Sequence, residues 1–382
     1  MRFRPLLLAV VFAFCLQAFA QDHAADVQTA FARAQHLKHG INASIWFAQH
    51  HEDYSANYTD HETTPEDIAI MARLGFDHVR LSIDAVPLTQ AFNQRNGEGD
   101  FLVRLDKAVG EILATGMAVI IDVHPEDSYK QAMRTDNTAV DRFVIMWQNL
   151  AAHYAGRDPD LVFFEILNEP EVNDPYRWAG IQARAAATIR AAAPRHTIIA
   201  TGANYSGLGD FLKLHPLADG NVIYNFHFYD PIQFTHQGAG WGDPWWIYTH
   251  NIPYPATEDT MADRLKLVPE AADRFELENY WLDHWDAHHI QLLIDEAAAW
   301  GKANNVPLTC NEFGAFREHS DPVSRTNWIR DVRTALETDG IGWAMWDYHN
   351  GFGVAVKDPQ TGKSVVDQQT VEALGLKARN SQ

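Results

Sequence analysis

Two glutamates stand near the ends of apolar, strand-like runs, in FFEILNEP (163–170) and LTCNEFG (308–314). A pair of carboxyl groups so placed could hydrolyse a glycosidic bond. One of Glu169 and Glu312 would give a proton to the departing glycosidic oxygen, while the other would attack the anomeric carbon or activate a water that does. Either residue alone could be a buried ion-pair partner, but the two together, with the neighbours described below, favour catalysis.

Eight short apolar runs predict strands, and longer segments with helical periodicity lie between them. Eight β-then-α units indicate an α/β protein built as a closed parallel (β/α)8 barrel, the TIM barrel. A doubly wound open sheet is the alternative, but no glycine-rich phosphate-binding turn follows the first run. The predicted strands are Gly40–Ile45, His78–Ile83, Met117–Val123, Leu161–Leu167, Thr197–Thr201, Val222–Phe228, Pro307–Cys310 and Gly342–Trp346. The predicted helices include Pro65–Leu74, Leu102–Thr115, Ala139–His153, Tyr176–Ala193, His288–Ala303 and Val323–Glu337.

Polar and aromatic residues gather near the carboxyl ends of these predicted strands, where the active site of such a barrel lies. Chance could explain any one of them, whereas a ring that converges on one mouth is hard to explain as packing. The ring consists of Asn42, Arg80, Asp122, His124, Asn168, Glu169, His227, Tyr229, Glu312 and Trp346.

The distance between the two carboxyl groups would decide the mechanism. A separation of ~5–5.5 Å lets the second group attack directly, whereas ~6.5–9.5 Å leaves room for a water, and the sequence leaves both open. Asn168 directly precedes Glu169, and its amide could bond the 2-hydroxyl of the sugar in the transition state. This favours Glu169 as the acid/base.

Glu312 must be ionised to act as a nucleophile, so a cation or hydrogen-bond donors nearby would have to keep its pKa low. Arg80 and Tyr229 are the candidates. Arg80 could instead form an ion pair with Glu165, and both roles are compatible.

Histidines could serve the same site. His124 and His227 could bond sugar hydroxyls, tune the carboxylates or form a zinc pair, but a clear third ligand is lacking. His284 and His288 could share a helix face beside His289, although their acidic neighbours are more typical of a solvated helix start. We therefore predict no metal and no cofactor.

A long connection after the sixth predicted strand is rich in aromatic residues. Sugar rings have flat apolar faces that pack on such rings, so the connection could form sugar subsites. Alternatively, it makes a small core of its own. Trp346 differs because it ends a strand at the mouth, and we expect it to be the platform under the cleaved sugar. The residues of the connection are Trp241, Trp245, Trp246, Tyr248, Tyr254, Tyr280, Trp281 and Trp285.

Residues 1–20 have the pattern of an export signal. They combine a basic start at Arg2 and Arg4, an apolar stretch and a small-x-small cleavage pattern, Ala-Phe-Ala, at 18–20. The stretch is well short of the ~20 residues that cross a bilayer. We predict a signal peptide over 1–20 and a single catalytic domain over 21–382, secreted or periplasmic.

The composition narrows the possible partners. Removing Arg2 and Arg4 from the 30 basic residues leaves 28 against 50 acidic ones, a formal charge of −22. This charge disfavours nucleic acid and anionic membranes and is compatible with a neutral polysaccharide. Cys310 is the one cysteine outside the leader, so we expect no internal disulfide. Without an evident linker or repeat, we expect one domain acting as a monomer.

These residues together resemble glycoside hydrolase family 5, the cellulase-like branch of the retaining barrel glycosidases, from about Gly40 to Gly353. NEP (168–170) is the most recognisable stretch, and NEFG (311–314) matches the nucleophile strand of the family. The resemblance implies that Glu169 is the acid/base, Glu312 is the nucleophile and the anomeric configuration is retained. GIN (40–42) looks like the opening strand of the family. The resemblance also implies a subsite for the cleaved sugar lined by Arg80, His124, Asn168, His227, Tyr229 and Trp346.

One departure from the family pattern concerns the substrate contacts. Many members carry two adjacent histidines after the third strand, whereas here Pro125 follows His124. The family cleaves several β-glycans from the same catalytic frame. The chain looks most like bacterial cellulases, so an endo-β-1,4-glucanase is the leading prediction, with β-mannan, β-1,3-glucan or xyloglucan as alternatives. No separate cellulose-binding module is evident, which favours soluble or amorphous glucan.

Two further hypotheses belong to other classes. A non-catalytic polysaccharide-binding barrel could keep the aromatic residues and the acidic surface, but it has no need of both Glu169 and Glu312. A metal-dependent barrel hydrolase is the third possibility, and chelation followed by metal addition would distinguish it.

Overall fold

The computed structural model describes residues 22–50, 54–93 and 100–377. Eight strands pair in parallel, each with the next, and the first closes on the eighth. This is the predicted (β/α)8 barrel. The export signal predicted over 1–20 lies outside the described residues. The strands are β1 (His39–Phe47), β2 (His78–Ile83), β3 (Ala118–Val123), β4 (Val162–Glu165), β5 (Thr197–Thr201), β6 (Val222–Phe228), β7 (Leu308–Phe313) and β8 (Gly342–Met345).

Helices connect the strands, and a small antiparallel hairpin of β9 (Ala355–Lys357) and β10 (Ser364–Val366) follows the barrel. A first helix, α1, covers 22–34. The others are α2 (Ala56–Glu62), α3 (Pro65–Leu74), α4 (Ala85–Asn93), α5 (Asp100–Ala114), α6 (Asp127–Ala132), α7 (Asn137–Tyr154), α8 (Pro175–Ala192), α9 (Leu208–Phe211), α10 (Ile232–Thr235), α11 (Glu258–Leu265), α12 (Ala271–Leu282), α13 (Ala287–Asn304), α14 (Pro322–Thr338) and α15 (Gln368–Ala373). A short 3-10 helix spans Pro244–Tyr248.

Local signals set the ends of the helices that lead into the barrel, as α3 illustrates. The Thr64 side chain accepts a hydrogen bond from the amide of Asp67, whose carboxylate accepts one from the Thr64 amide at 2.9 Å. Pro65 occupies the first turn, where no amide donor is needed. Gly75 ends the helix at φ 101°, a conformation that side chains disfavour, and the chain then enters β2.

The inside of the barrel changes from apolar at the amino ends of the strands to polar at their carboxyl ends. Successive side chains of a strand point to opposite faces, so each strand contributes every second residue to the interior. A buried apolar cluster consists of Leu37, Ala118, Ile120, Phe163, Ile199 and Ile223. The interior positions that follow on these strands carry buried Asp122, Glu165 and Asn225. The functional site therefore rests on a packed apolar floor.

Three buried tryptophans fasten the outer helices to the carboxyl ends of the strands. Trp147 of α7 donates from its indole nitrogen to the Ile166 carbonyl at 2.8 Å, just after β4. Trp178 of α8 donates to the Thr201 carbonyl at 2.8 Å, at the end of β5. Trp328 of α14 donates to the carbonyl of residue 230 at 3.1 Å, beyond β6. These bonds fix the strand ends from which the site is built.

The aromatic connection between β6 and β7 divides between the two predicted roles. Tyr254 and Tyr280 are buried and join Phe234 in a core of the connection itself, with the Phe234 and Tyr254 rings 5.5 Å apart. Trp241 is half exposed and borders the large cavity at the barrel mouth, together with buried Trp246. No helix within the described ranges is both long and apolar enough for a membrane span.

Candidate active site

A cavity of about 1090 Å³ opens at the carboxyl ends of the strands. Asn42 and Arg80 are fully buried and do not border it. The predicted site residues that do border it are His124, Asn168, Glu169, His227, Tyr229, Glu312 and Trp346. The fold thus brings together side chains from β3, β4, β6, β7 and β8 or from the turns that follow them.

Glu169 lies in the turn after β4 and has a left-handed backbone, with φ at 41°. A residue other than glycine adopts this conformation at a cost of order 1–3 kcal/mol, so the surrounding structure must impose it. Its side chain is 25% exposed, and Oε1 lies 3.0 Å from Nδ1 of His227. The turn therefore presents one carboxyl group to the cavity.

Glu312 reaches the cavity because the pairing of β7 is irregular. Phe226 and His227 are neighbours on β6, but their partners on β7 are Cys310 and Glu312, so Asn311 is an extra residue. Regular alternation would send Asn311 and Glu312 to opposite faces. Here Asn311 donates to Glu165 inside the barrel, and Glu312 borders the cavity.

Two donors hold the Glu312 carboxylate. Nη1 of Arg80 lies 2.6 Å from Oε1, and the Tyr229 hydroxyl donates to Oε2 at 2.9 Å. Nδ1 of His227 lies 3.4 Å from the same Oε2. The Glu312 side chain is only 5% exposed, which makes these hydrogen bonds and the ion pair strong.

Arg80 binds both of the carboxylates that the sequence suggested. It forms a bidentate pair with Glu165, at 2.9 Å and 2.8 Å, while its Nη1 holds Glu312. Asp122 lies 3.1 Å from Nη2, and the Asn42 side-chain oxygen accepts from Nη1 at 2.9 Å. Burial opposes the charge on Arg80, but the three carboxylates raise its pKa well above its usual value, so Arg80 is a permanent cation.

A hydrogen-bond chain fixes the tautomer of His124 and the orientation of Asn168. The Asn168 side-chain oxygen accepts from Arg80 at 3.0 Å, so its amide nitrogen is the group that lies 2.9 Å from Nε2 of His124. Because the amide nitrogen donates, Nε2 accepts, and the proton of His124 is on Nδ1, which donates to Asp122 at 2.9 Å. Burial lowers the pKa of His124 well below its usual value, so the ring is neutral.

His227 bridges the two glutamates. Burial lowers its pKa to about 4, so the ring is neutral near pH 7. Because Nδ1 faces both Glu169 and Glu312, the proton resides on Nδ1. The other ring nitrogen is buried and has no hydrogen-bond partner among the residues that the structure describes.

The carboxyl groups of Glu169 and Glu312 are close enough to act on one bond. One oxygen of each lies within 4.8 Å of the other and of a His227 ring nitrogen. Burial raises the pKa of both groups, and the charge of Glu169 adds to this effect at Glu312, whose pKa rises to about 7 although Arg80 lowers it. A buried pair of carboxyls so close retains a proton to higher pH than an exposed carboxyl would.

Trp346 and two residues missed by the sequence analysis, Lys130 and Tyr205, also line the cavity. The Trp346 ring lies 5.7 Å from the His124 ring at an interplanar angle of 20°. Lys130 of α6 is buried, with Nζ 3.1 Å from Glu171. Tyr205 follows β5 and is 55% exposed. Both lie outside the strands, where no periodic signal indicates which residues reach the mouth; the aromatic type of Tyr205 was the one available hint.

Metal-binding groups are sparse in the part of the chain that the structure describes. Glu169, His227 and Glu312 form the one cluster of three close potential ligands there. His288 and His289 lie in the first turn of α13, where their amides donate to the Asp286 carboxylate, and the His289 ring stacks on Trp285 at 4.3 Å. These contacts fit the predicted helix start.

Known proteins resemble this chain in sequence. A family model described as Cellulase (glycosyl hydrolase family 5) matches residues 40–351. Endoglucanase C of Acetivibrio thermocellus is 29% identical over 318 residues, which cover 82% of this chain and 91% of that protein. Endoglucanase 3 of Fibrobacter succinogenes is 29% identical over 340 residues, 84% of this chain but 50% of that protein, so the chain spans half the length of this relative.

Among solved structures, Cel5A of Thermotoga maritima is 27% identical and superposes with a TM-score of 0.71 over 90% of this chain. The match covers 98% of the Cel5A chain in a structure with cellobiose and 99% of it in a structure with mannotriose. The same eight-stranded barrel underlies both proteins. Since the family model covers most of the chain, from the opening strand to the turn beyond β8, this protein belongs to glycoside hydrolase family 5, the cellulase family, and is a glycoside hydrolase.

Proposed function

We propose that the protein is a retaining endo-β-1,4-glucanase in which Glu169 is the acid/base and Glu312 the nucleophile. The observation that carries this proposal is the approach of the two carboxyl groups to within 4.8 Å. Retaining glycosidases have a separation of ~5–5.5 Å, whereas inverting enzymes need ~6.5–9.5 Å to hold a water between the groups.

Hydrogen bonding supports the distribution of roles. Glu312 accepts from Arg80 and Tyr229, which favours its ionised form, whereas the described partner of Glu169 is the neutral ring of His227. Arg80 and Tyr229 thus oppose the burial that raises the pKa of Glu312, and in the proposed mechanism the proton shared by the pair resides on Glu169. Glu169 gives it to the glycosidic oxygen as the bond from that oxygen to the anomeric carbon breaks. An oxygen of Glu312 forms a bond to the same carbon, which gives a covalent glycosyl-enzyme.

The second step reverses these roles. Ionised Glu169 takes a proton from a water, whose oxygen bonds to the anomeric carbon while the bond from that carbon to Glu312 breaks. Arg80 and Tyr229 stabilise the negative charge that returns to Glu312. Two displacements at one carbon restore the original configuration.

The other site residues hold the sugar or the two glutamates. Asn168 uses one amide hydrogen on His124 and has a second for the sugar's 2-hydroxyl, and Trp346 supplies an apolar face beside it. Asn42 and Arg80, which are buried away from the cavity, act through Glu312. Asn42 donates to the carbonyls of Asn311 and Met345, at 2.9 Å and 3.1 Å, and so ties β7 to β8.

The substrate assignment rests on the relatives. Endoglucanase C and Endoglucanase 3 support a β-1,4-glucan, and so does the cellobiose complex of Cel5A. The mannotriose complex of Cel5A makes β-mannan the second candidate. The acidic sequence favours a neutral polymer over an anionic one.

Sugar release from a panel of soluble polymers tests the function. The panel contains β-1,4-glucan, β-mannan, mixed-linkage β-glucan, xyloglucan and β-1,3-glucan, with Glu312→Gln as the control for contaminating activity. We expect release from β-1,4-glucan that disappears in the variant, and a rapid fall in viscosity that indicates internal cleavage. Preferential release from mannan would make β-mannan the substrate in place of β-1,4-glucan. Equal release by the parent and by Glu312→Gln would show that Glu312 is not the nucleophile.

Export and a monomeric state are further parts of the proposal. The basic start, apolar stretch and Ala-Phe-Ala pattern of residues 1–20 support cleavage before Gln21. Amino-terminal sequencing of the protein outside the cytoplasm tests the cleavage site, and light scattering tests the monomer.

A further inference from the structure

The strand β7 contains one residue more than either of its neighbours. On the side of β6, Cys310 and Glu312 stand opposite two consecutive residues. On the side of β8, Cys310 pairs with Trp343 and Phe313 with Met345, so three steps along β7 match two along β8. The extra residue therefore lies between Cys310 and Phe313 in both ladders. Such a bulge disrupts the ladder and leaves the extra residue unpaired.

This bulge decides the direction in which Glu312 points. Side chains alternate along a regular strand, so with Asn311 inside the barrel a regular strand would turn Glu312 outward, towards the helices. The next residue does lie on the outer face, because the ring of Phe313 packs against that of Trp328 in α14, with centroids 6.5 Å apart. Glu312 therefore faces the cavity only while the bulge persists.

Side chains of four strands bind the polar groups of Asn311, the extra residue. The Asn311 amide donates to the Asn225 side-chain oxygen at 2.8 Å, and the Asn311 carbonyl accepts from the Asn42 side chain at 2.9 Å. The side chain of Asn311 donates to Glu165 at 2.5 Å and accepts from the Thr309 hydroxyl at 2.8 Å. Hydrogen bonds from side chains thus stabilise the irregular backbone.

Asn225 of β6 holds the backbone amide at the bulge, and its own orientation is fixed. Its side chain is fully buried, and its amide nitrogen donates to Glu165 at 3.2 Å, which directs the side-chain oxygen to the Asn311 amide. Glu165 is itself fixed by its bidentate pair with Arg80. Neither Asn225 nor Asn311 borders the cavity. Any effect of Asn225 on catalysis must therefore pass through Glu312.

We propose that Asn225 is a positioning residue for the nucleophile: it binds the amide of Asn311 and so stabilises the bulge that turns Glu312 into the cavity. The inference rests on the proposed function, because the direction of Glu312 matters to the reaction if Glu312 attacks the sugar. Without the Asn225 oxygen, the buried Asn311 amide would lose its acceptor. A regular ladder, which turns Glu312 outward, would then compete with the bulge.

A mechanism-based label isolates the step in which Glu312 acts. With 2,4-dinitrophenyl 2-deoxy-2-fluoro-β-cellobioside, an oxygen of Glu312 bonds to the anomeric carbon. The bond from that carbon to the aryl oxygen breaks, and its electron pair leaves with dinitrophenolate, which needs no proton from Glu169. The fluorine slows hydrolysis of the glycosyl-enzyme, so mass spectrometry follows the labelled protein over time. The measured quantities are the maximal rate constant, the half-saturating concentration and the final labelled fraction.

Asn225→Ala should slow the attack and leave binding almost unchanged. We expect the maximal rate constant to fall about 10²-fold, the scale of a small displacement of a reacting group, and the half-saturating concentration to stay within about twofold. Thr309→Val removes the hydroxyl bound to the Asn311 side chain with little change in volume. It should lower the rate constant about fivefold, because the bulge is then less rigid. If Asn225→Ala does not fold, an unchanged rate constant in Thr309→Val overturns the inference.

Asn221→Ala is the matched control, because Asn221 is a buried asparagine at the amino end of the same strand, where its side chain accepts from Thr197 at 2.7 Å. It should lower stability and leave the rate constant unchanged. Equal falls in Asn225→Ala and Asn221→Ala, or a smaller labelled fraction in Asn225→Ala at the parent rate, would show a purely structural role and overturn the inference. A parent protein that is not labelled, or is labelled at a residue other than Glu312, would overturn the proposed function and the inference with it.

Discussion

A carboxyl oxygen of Glu169 lies within 4.8 Å of a carboxyl oxygen of Glu312, although Glu169 lies in the turn after β4 and Glu312 lies in β7. This gap is shorter than the ~6.5–9.5 Å that places a nucleophilic water between two carboxyls. The separation therefore favours direct attack by one of them.

Retention of configuration is the first consequence. Proton NMR at early times during hydrolysis of a soluble β-glucan should show the β-anomer first, with the α-anomer appearing later by mutarotation. Detection of the α-anomer as the first product would mean that a water attacks the glucan directly, and the roles of both glutamates would have to change.

The two glutamates should respond differently to the leaving group. Glu169→Ala should lower kcat on β-1,4-glucan about 10²–10⁴-fold, because general acid catalysis contributes on that scale. On β-cellobiosyl fluoride the first step needs no proton, so azide should restore turnover and give a β-cellobiosyl azide.

Glu312→Gln is the complement of that experiment. It should lose activity on both substrates by several orders of magnitude while its circular dichroism matches the parent, since only the nucleophile is changed. If Glu312→Gln retained the fluoride reaction, or if azide failed to rescue Glu169→Ala, the assignment of roles would be wrong.

The pH profile should depend on Lys130. Burial raises the pKa of Glu169, while the positive charges of Lys130, His124 and Arg80 lower it and Asp127 raises it. Activity needs protonated Glu169 and is lost as the pH rises through its pKa. Lys130→Met removes a charge that lowers this pKa, so the basic limb of kcat/KM should move to higher pH.

Lys130→Arg keeps the charge and is the control, with the expectation of an almost unchanged basic limb. The measurement is kcat/KM against pH on one soluble substrate for all three proteins. If the basic limb stays in place in Lys130→Met, or moves to lower pH, the charge of Lys130 does not lower the pKa of the acid/base.

Arg80 should be important for stability as well as for turnover. Its guanidinium is fully buried among Asp122, Glu165 and Glu312, so Arg80→Met would leave uncompensated carboxylates in the barrel. Removing one partner of a buried pair costs about 3–5 kcal/mol. Urea unfolding should show this loss, and catalysis should fall with it.

An exposed ion pair provides the control for the Arg80 variant. Arg73 and Glu66 are 2.7 Å apart on the surface, so Arg73→Met should leave the unfolding midpoint almost unchanged. Equal midpoints for the Arg80 and Arg73 variants would contradict the structural role of the buried network.

Replacing Trp346 should lower the activity on every substrate. Because we propose that it lies under the cleaved sugar, Trp346→Ala should lower kcat/KM on both cellotetraose and β-cellobiosyl fluoride, each about tenfold. Trp346→Phe should recover part of both activities. A loss confined to cellotetraose would place Trp346 on the leaving-group side.

The sequence by itself determined the barrel and the strand ends at which the candidate catalytic residues lie. Apolar runs and helical periodicity are local properties, so the order of strands and helices could be predicted and was confirmed. The carboxyl ends of parallel strands meet on one side, which is why Glu169 and Glu312 could be assigned to one mouth without a structure. Boundaries were less accurate, since β4 ends at Glu165 and β7 continues to Phe313.

Only the tertiary structure decided the distances and directions of the side chains. The extra residue in β7 turns Asn311 and Glu312 to the same side, which the regular alternation of a strand could not predict. Arg80 meets Glu312 across 232 residues of chain, and Tyr205 reaches the cavity from a loop with no periodic signal. Such contacts depend on how distant segments pack together, and no local pattern in the chain records that packing.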